Sequence, residues 1–288
     1  SAHLMSPSRA SLAPVKAPFS YPNRVLSTSC SGRTVQSTTM KGPVARRLLR
    51  WIILAISSLP VPVCPVMWTL ASLLAHWATA WKVHFPVMRL GQRFVIKPTW
   101  REYDPAADDV VIALDPGMAF GTGLHPTTRL CLVGLERWAD EGIVEGASTL
   151  DVGSGSGVLA VGAALLGAGP VRAVDTDPIA VEATVENAAR NGVSIDASGG
   201  SVPIDGGPFD LVFANLVASI LVELAASLAE AVRPGDGRPG SGGRLLASGI
   251  FIDREPEVRR AFAAAGLRVV NREQETDWVS LDLERPGP

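Results

Sequence analysis

Leu150 to Gly157 reads LDVGSGSG, three glycines alternating with serines directly behind an acidic residue. Glycines at the hand-over from a strand to a helix let the backbone pass close under a ligand and present the helix N-terminus to it. The G-S-G-S-G spacing departs from the G-x-G-x-x-G turn that cradles a pyrophosphate. Twenty-two residues after Gly153, Asp175 closes the following strand, where a carboxylate can accept both hydroxyls of a ribose. A ligand with ribose and adenine but no phosphate, and with an ammonium to meet Asp151, fits this pattern. S-adenosylmethionine has those parts, so Asp151, Gly153, Gly155 and Asp175 are candidate contacts for it. The plainer reading, a glycine turn kept for close packing, does not account for Asp175 in register.

The elements that must position these residues follow the chain in alternation. RFVIKP and DVVIAL are short β-rich runs, and Thr127–Asp140 reads as a helix with Leu130, Val133 and Leu135 on its apolar side. The glycine turn lies between a strand and a helix. VRAVDTDP then opens a strand–turn–helix unit, with Asp177 as N-cap, Pro178 at the first helical position and Asn191-Gly192 as the stop. FDLVFANL predicts a strand, ASILVELAASLAEAV a single helix, GRLLASGI a strand and EPEVRRAFAAAG a helix, and two strands close the chain. Pro234–Gly243 is a loop. Strands alternating with helices imply an α/β, mostly parallel, doubly wound sheet with ligands at the carboxyl ends of its strands.

The chain has 288 residues and a net charge of −2, but the charge is divided. Residues 1–101 hold 13 Lys or Arg and no acid, whereas residues 102–288 hold 13 Arg, no Lys and 28 acids, a net −15. The overall balance makes no case for direct nucleic-acid binding. Three scattered cysteines (Cys30, Cys64, Cys131) and four scattered histidines exclude a disulfide framework or a metal cluster read from spacing, so no metal is expected. Residues 6–42 read as loop, and Trp51–Trp81 is 31 residues without a charge. Pro60, Pro62 and Pro65 interrupt it, so membrane contact through residues 51–75 is the less favoured reading beside a transit-like or merely divergent leader.

Several blocks together resemble a known family: HWATAWKVHFPVMRLGQRFVIKPTWREY, LDPGMAFGTGLHPTTRLCL, LDVGSGSGVLAVGAALLGA, AVDTDP, DLVFANL and LASGI. From about Trp77 to Leu283 the chain is similar to the bacterial lysine methyltransferases that modify the eleventh protein of the large ribosomal subunit. The resemblance implies a class I, Rossmann-like, seven-stranded methyltransferase fold with an antiparallel last strand. It also implies S-adenosylmethionine as methyl donor, S-adenosylhomocysteine as product and protein amino groups as acceptors. By motif position the family's donor contacts fall on Thr128, Gly153, Asp175 and Asn215, and the FGTG loop with Phe120, Gly121 and Thr122 lies over the donor. The expected organisation is a leader over 1–76, an entry segment over 77–108 and the methyltransferase domain over 109–288. The leader shows no likeness to the family's N-terminal recognition domain.

Methyl transfer to an amine needs alignment of donor and acceptor and a neutral nitrogen. Asn215 and Leu216 end a strand where the methyl is expected, so the Asn215 side-chain oxygen and the Leu216 carbonyl are the candidate catalytic groups. A local turn hydrogen bond is the plainer role for Asn215. His125, ahead of Pro126, is a weak candidate for proton transfer. The expected activity is methylation of lysine or N-terminal amino groups of a large-subunit ribosomal protein, in the cytoplasm, with an organellar or membrane-associated site as alternative. Two other functions stay open on the residues alone: a non-catalytic S-adenosylmethionine-binding module, and a nicotinamide-dependent oxidoreductase.

Overall fold

The computed structural model describes residues 85–115, 125–238 and 240–287. The chain divides near Ala80, and the second unit, Trp81–Pro288, holds all of them. The expected leader over 1–76, including the apolar run at 51–75, lies outside the described residues. Among those described, no helix is long and apolar enough to cross a membrane.

Two sheets organise this unit. Strands β1 (Met88–Leu90), β2 (Phe94–Lys97) and β3 (Val110–Ala113) form a small one, β1 antiparallel and β3 parallel to β2. The border expected between residues 108 and 109 therefore falls inside this sheet. The large sheet contains β4 (Thr149–Val152), β5 (Val171–Asp175), β6 (Asp196–Gly199), β7 (Leu211–Asn215), β8 (Arg244–Phe251), β9 (Arg268–Glu275) and β10 (Trp278–Glu284). Its order is β6-β5-β4-β7-β8-β10-β9, parallel except for β10, which lies antiparallel between β8 and β9. That is the seven-stranded class I arrangement expected from the sequence. The reversal of strand order between β4 and β7 opens a crevice at their carboxyl ends.

Helices cover both faces. On one side lie α1 (Pro126–Asp140) and α2 (Val158–Leu165), and on the other α4 (Ala218–Glu223), α5 (Ala225–Ala231) and α6 (Glu255–Ala264); α3 (Pro178–Arg190) packs on β5 and β6. Strand β7 serves both cores. Leu211 and Phe213 join one cluster, Val212 and Ala214 the other, as alternating side chains must. In α3 the expected signals hold: Asp177 accepts from Ile179 N at 2.9 Å, Pro178 follows, and Asn191 ends the helix. The single helix expected over 218–232 is two, broken at Leu224 (φ −89°, ψ 3°). Its apolar pattern at 218, 221, 225 and 228 runs unbroken through both pieces, so periodicity does not register the break.

A buried carboxylate ties the small sheet to α1. Glu136, 5% exposed, accepts hydrogen bonds from the backbone amides of Gln92 (2.9 Å), Arg93 (2.7 Å) and Phe94 (2.8 Å). Those donors turn the chain from β1 into β2, and without the carboxylate the buried Phe94 amide would be left unpaired. The C-terminal half of α1 is thereby tied to the small sheet while the helix packs on β8 and β10 of the large one.

Candidate active site

Where β4 ends, the chain passes through Gly153 (φ 72°), Gly155 (φ 56°) and Gly157 (φ 74°) before α2 begins. These left-handed conformations are costly for residues with a Cβ. At Gly153 a Cβ would also stand 2.3 Å from Leu216 Cδ2. Glycine is required here because a Cβ at Gly153 or Gly157 would collide with Leu216 or Thr184, and the bare backbone of Gly153 and Gly155 lines the cleft.

Asp175, at the tip of β5, is held on both oxygens. Oδ2 accepts from Gly155 N at 2.9 Å and Oδ1 from Asp177 N at 2.9 Å. Each carboxylate oxygen keeps further acceptor capacity, and the side chain lines the cleft. That cleft, about 540 Å³, is bounded by the glycine turn, Thr128, Asp175, Thr176, Gly200, Ser201, Asn215 to Val217, Ile220, Glu223 and Leu224. Its size suits a nucleoside-bearing small molecule.

On the far side of the turn, Asn215 closes β7. Its Nδ2 donates to Thr128 Oγ1 at 3.4 Å, and Thr128 itself is fully buried on the first turn of α1. The other amide atom, Asn215 Oδ1, is buried and has no hydrogen-bond partner among the described residues. A buried acceptor without a donor is costly, and a ligand N–H would relieve it. Leu216 follows, its N–H donating to Ser248 O at 3.0 Å and its side chain packed over Gly153. Its carbonyl abuts Gly249, where a Cβ would come within 2.1 Å of the oxygen.

The structure thus brings together Thr128, Gly153, Gly155, Asp175, Asn215 and Leu216. Asp151 is placed differently from expectation. It is 1% exposed beneath the turn, accepts from Ala160 N at 3.2 Å and does not line the cleft. Burial pushes its carboxyl up to about 7. Direct pairing with a ligand ammonium is not what this position offers; the side chain sits where it can brace the start of α2 from below. Phe120, Gly121 and Thr122 lie outside the described residues. His125 caps α1, its Nδ1 2.8 Å from Thr127 Oγ1, and burial followed by the Arg129 charge lowers its pKa. Among the described residues no cluster of three metal-ligating side chains occurs.

Sequence reading missed the rim formed by Thr176, Ser201, Ile220, Glu223 and Leu224. Gly200 and Ser201 follow β6, whose DASG sequence carries no apolar alternation. Pairing with β5 places that strand, and no local signal announces it.

Comparison with known proteins agrees with this geometry. A family model described as ribosomal protein L11 methyltransferase matches residues 69–286. A protein of that name from Chloroflexus aurantiacus is 47% identical over 237 residues, 73% of this chain and 69% of the relative. Another, from Geobacter sulfurreducens, is 41% identical over 253 residues, covering 87% of this chain and 80% of the relative. The crystal structure of a ribosomal protein L11 methylase from Lactobacillus delbrueckii subsp. bulgaricus superposes with a TM-score of 0.60 at 33% identity, over 70% of this chain and 100% of that one.

Proposed function

The chain belongs to the ribosomal protein L11 methyltransferase family, and from that premise we propose that it moves the methyl group of S-adenosylmethionine to lysine or N-terminal amino groups of ribosomal protein L11. The observation that carries this reading is the pairing of Asp175 with Asn215 across one glycine turn. Asp175 lines the cleft and can accept ribose hydroxyls there, and Asn215 lines it from the other strand end, with a buried amide oxygen that meets no donor among the described residues and that a small side-chain movement would offer to an amine. The nicotinamide alternative falls away with family membership.

The bound donor supplies an electrophilic methyl carbon, and transfer to a neutral amine leaves a thioether and an ammonium that releases its proton to solvent. The chain's own residues act by placement. Asp175, fixed by Gly155 N and Asp177 N, holds the ribose end. Leu216 packs on the turn and fixes the floor. Asn215 Oδ1 accepts a hydrogen bond from the amine and so aims its lone pair at the methyl carbon. Thr128 in turn orients the Asn215 amide. A free lysine has a pKa of about 10.4, so entry into a partly desolvated cleft helps it shed its proton. Asp175 and Glu223 on the lining of the cleft favour a basic acceptor there. We place the reaction in the cytoplasm.

Incubation with methyl-labelled S-adenosylmethionine and purified ribosomal protein L11, read by peptide mass spectrometry, tests this. Label on lysine or N-terminal amines of that protein is the expected result. Label on another protein alone, or tighter binding of NADH than of S-adenosylhomocysteine, overturns it.

A further inference from the structure

Trp278 opens β10 and is gripped by two other rings. It meets His125 at 4.8 Å with planes 70° apart, and Phe251 at 5.4 Å with planes 87° apart. Both neighbours are tied to the catalytic end of the cleft. Phe251 lies three residues beyond Ser248, which pairs with Asn215 across β7 and β8. His125 lies three residues before Thr128, the hydroxyl that Asn215 touches. Three strand residues span about 10 Å, so the ring row begins about that far along the sheet from the Asn215 amide, beyond the nitrogen of an acceptor lysine and on the side where its stem enters.

The backbone that presents Trp278 is strained. Thr276, in the two-residue turn between β9 and β10, has φ 54°, the one non-glycine residue with positive φ among those described. A β-branched residue in that region is a marked outlier, and such strain concentrates where geometry matters for function. Ile252 N donates to Asp277 O at 2.9 Å and Gln274 Nε2 to Thr276 O at 2.8 Å, which hold the turn in place. The edge beside it is apolar and open: Phe251 is 39% exposed, Ile252 40% and Val217 61%. Exposed carboxylates of Asp253 and Asp277 flank it, while the neighbouring Arg254 is taken up by Glu257 at 2.6 Å.

We propose that Trp278, fixed between His125 and Phe251, is a specificity-determining residue that forms the acceptor-side wall on which the methylene stem of the target lysine lies, its nitrogen reaching on toward Asn215. The proposal rests on the methyl-transfer reading above. The methylenes of a lysine stem pack on an aromatic face. Asp253 and Asp277 favour the same basic side chain from the rim.

The test uses the full chain with ribosomal protein L11 and, separately, a lysine-rich peptide as acceptors. Trp278→Leu is expected to raise the acceptor KM about tenfold with kcat within about twofold. Affinity for S-adenosylhomocysteine should be unchanged, and Trp278→Phe should restore most of the KM. Phe251→Ala, which leaves Trp278 in place but ungripped, should shift KM in the same direction by less. An unchanged KM in Trp278→Leu overturns the proposal. So does equal damage by Leu and Phe, or a joint loss of donor affinity and melting temperature, since those mark a packing role. No transfer by the wild-type chain to either acceptor would overturn the methyl-transfer reading itself, a result separable from any of these.

Discussion

Asp175 spends one lone pair of each oxygen on the backbone, on Gly155 and Asp177, and this is what aims the rest of the carboxylate into the cleft. Asp175→Ala removes both the anchor and the charge-assisted acceptor for two hydroxyls. S-adenosylhomocysteine binding should weaken by about 1.5–3 kcal/mol, read by calorimetry. Equal affinity would remove the ribose assignment. Asn215 is the opposite case, a side chain with one amide atom engaged by Thr128 and the other awaiting a donor. Asn215→Ala should retain most donor affinity while transfer falls roughly a hundredfold, as expected when reactants are displaced by about 1 Å. If donor affinity falls in step with rate, Asn215 serves the donor alone. If neither moves, the amine is held elsewhere.

At the scale of elements the site depends on one strand-to-helix turn fitting against another strand end. Gly153 sits with φ 72° directly below Leu216. Gly153→Ala forces a Cβ into the left-handed region and into Leu216 Cδ2, for about 1–3 kcal/mol of strain. It should lower both the melting temperature and donor affinity, and a stable variant with normal affinity would show that Leu216 yields freely. This turn was readable from the sequence because glycine spacing and Asp175 are local signals. So was α3, whose N-cap, proline and stop all lie within a few residues of its ends. The break at Leu224 was not, because the apolar stripe continues through it. Nor was β6, which pairing with β5 rather than its DASG sequence makes a strand. Trp278 escaped notice for a third reason: only the β8–β10 register, set by the whole sheet, carries it to the side of His125 and Phe251. Asp151 shows the same limit, since spacing put it beside the ligand and packing put it underneath.

For the molecule as a whole, the buried and the paired carboxylates pull stability in opposite directions with pH. Asp151 is fully buried, and desolvation holds its folded pKa at about 7 against an ordinary 3.8. The folded state therefore keeps a proton that the unfolded chain releases, so stability falls as pH rises from about 4 to about 7 and stays reduced above that. Glu255 does the reverse. Arg272 and then Arg259 hold it below its usual value, so its contribution is present above about 4.5 and is lost as pH falls. Asp210, lowered by Arg233 and Ser148 against the pull of burial, acts like Glu255. The two trends predict a melting temperature that peaks on the mildly acidic side and declines toward neutral pH. Mutual repulsion within the net −15 segment adds to that decline, so the comparison that isolates Asp151 is with Asp151→Asn. The amide oxygen can still accept from Ala160 N, yet it carries no charge at any of these pH values. Thermal melts of the full chain between pH 5 and 8 should fall more steeply for the wild type than for the variant, with the gap between the two slopes closing above about pH 7. Parallel curves across the whole range would mean that Asp151 remains ionised in the folded protein, with its charge met by a partner under the glycine turn.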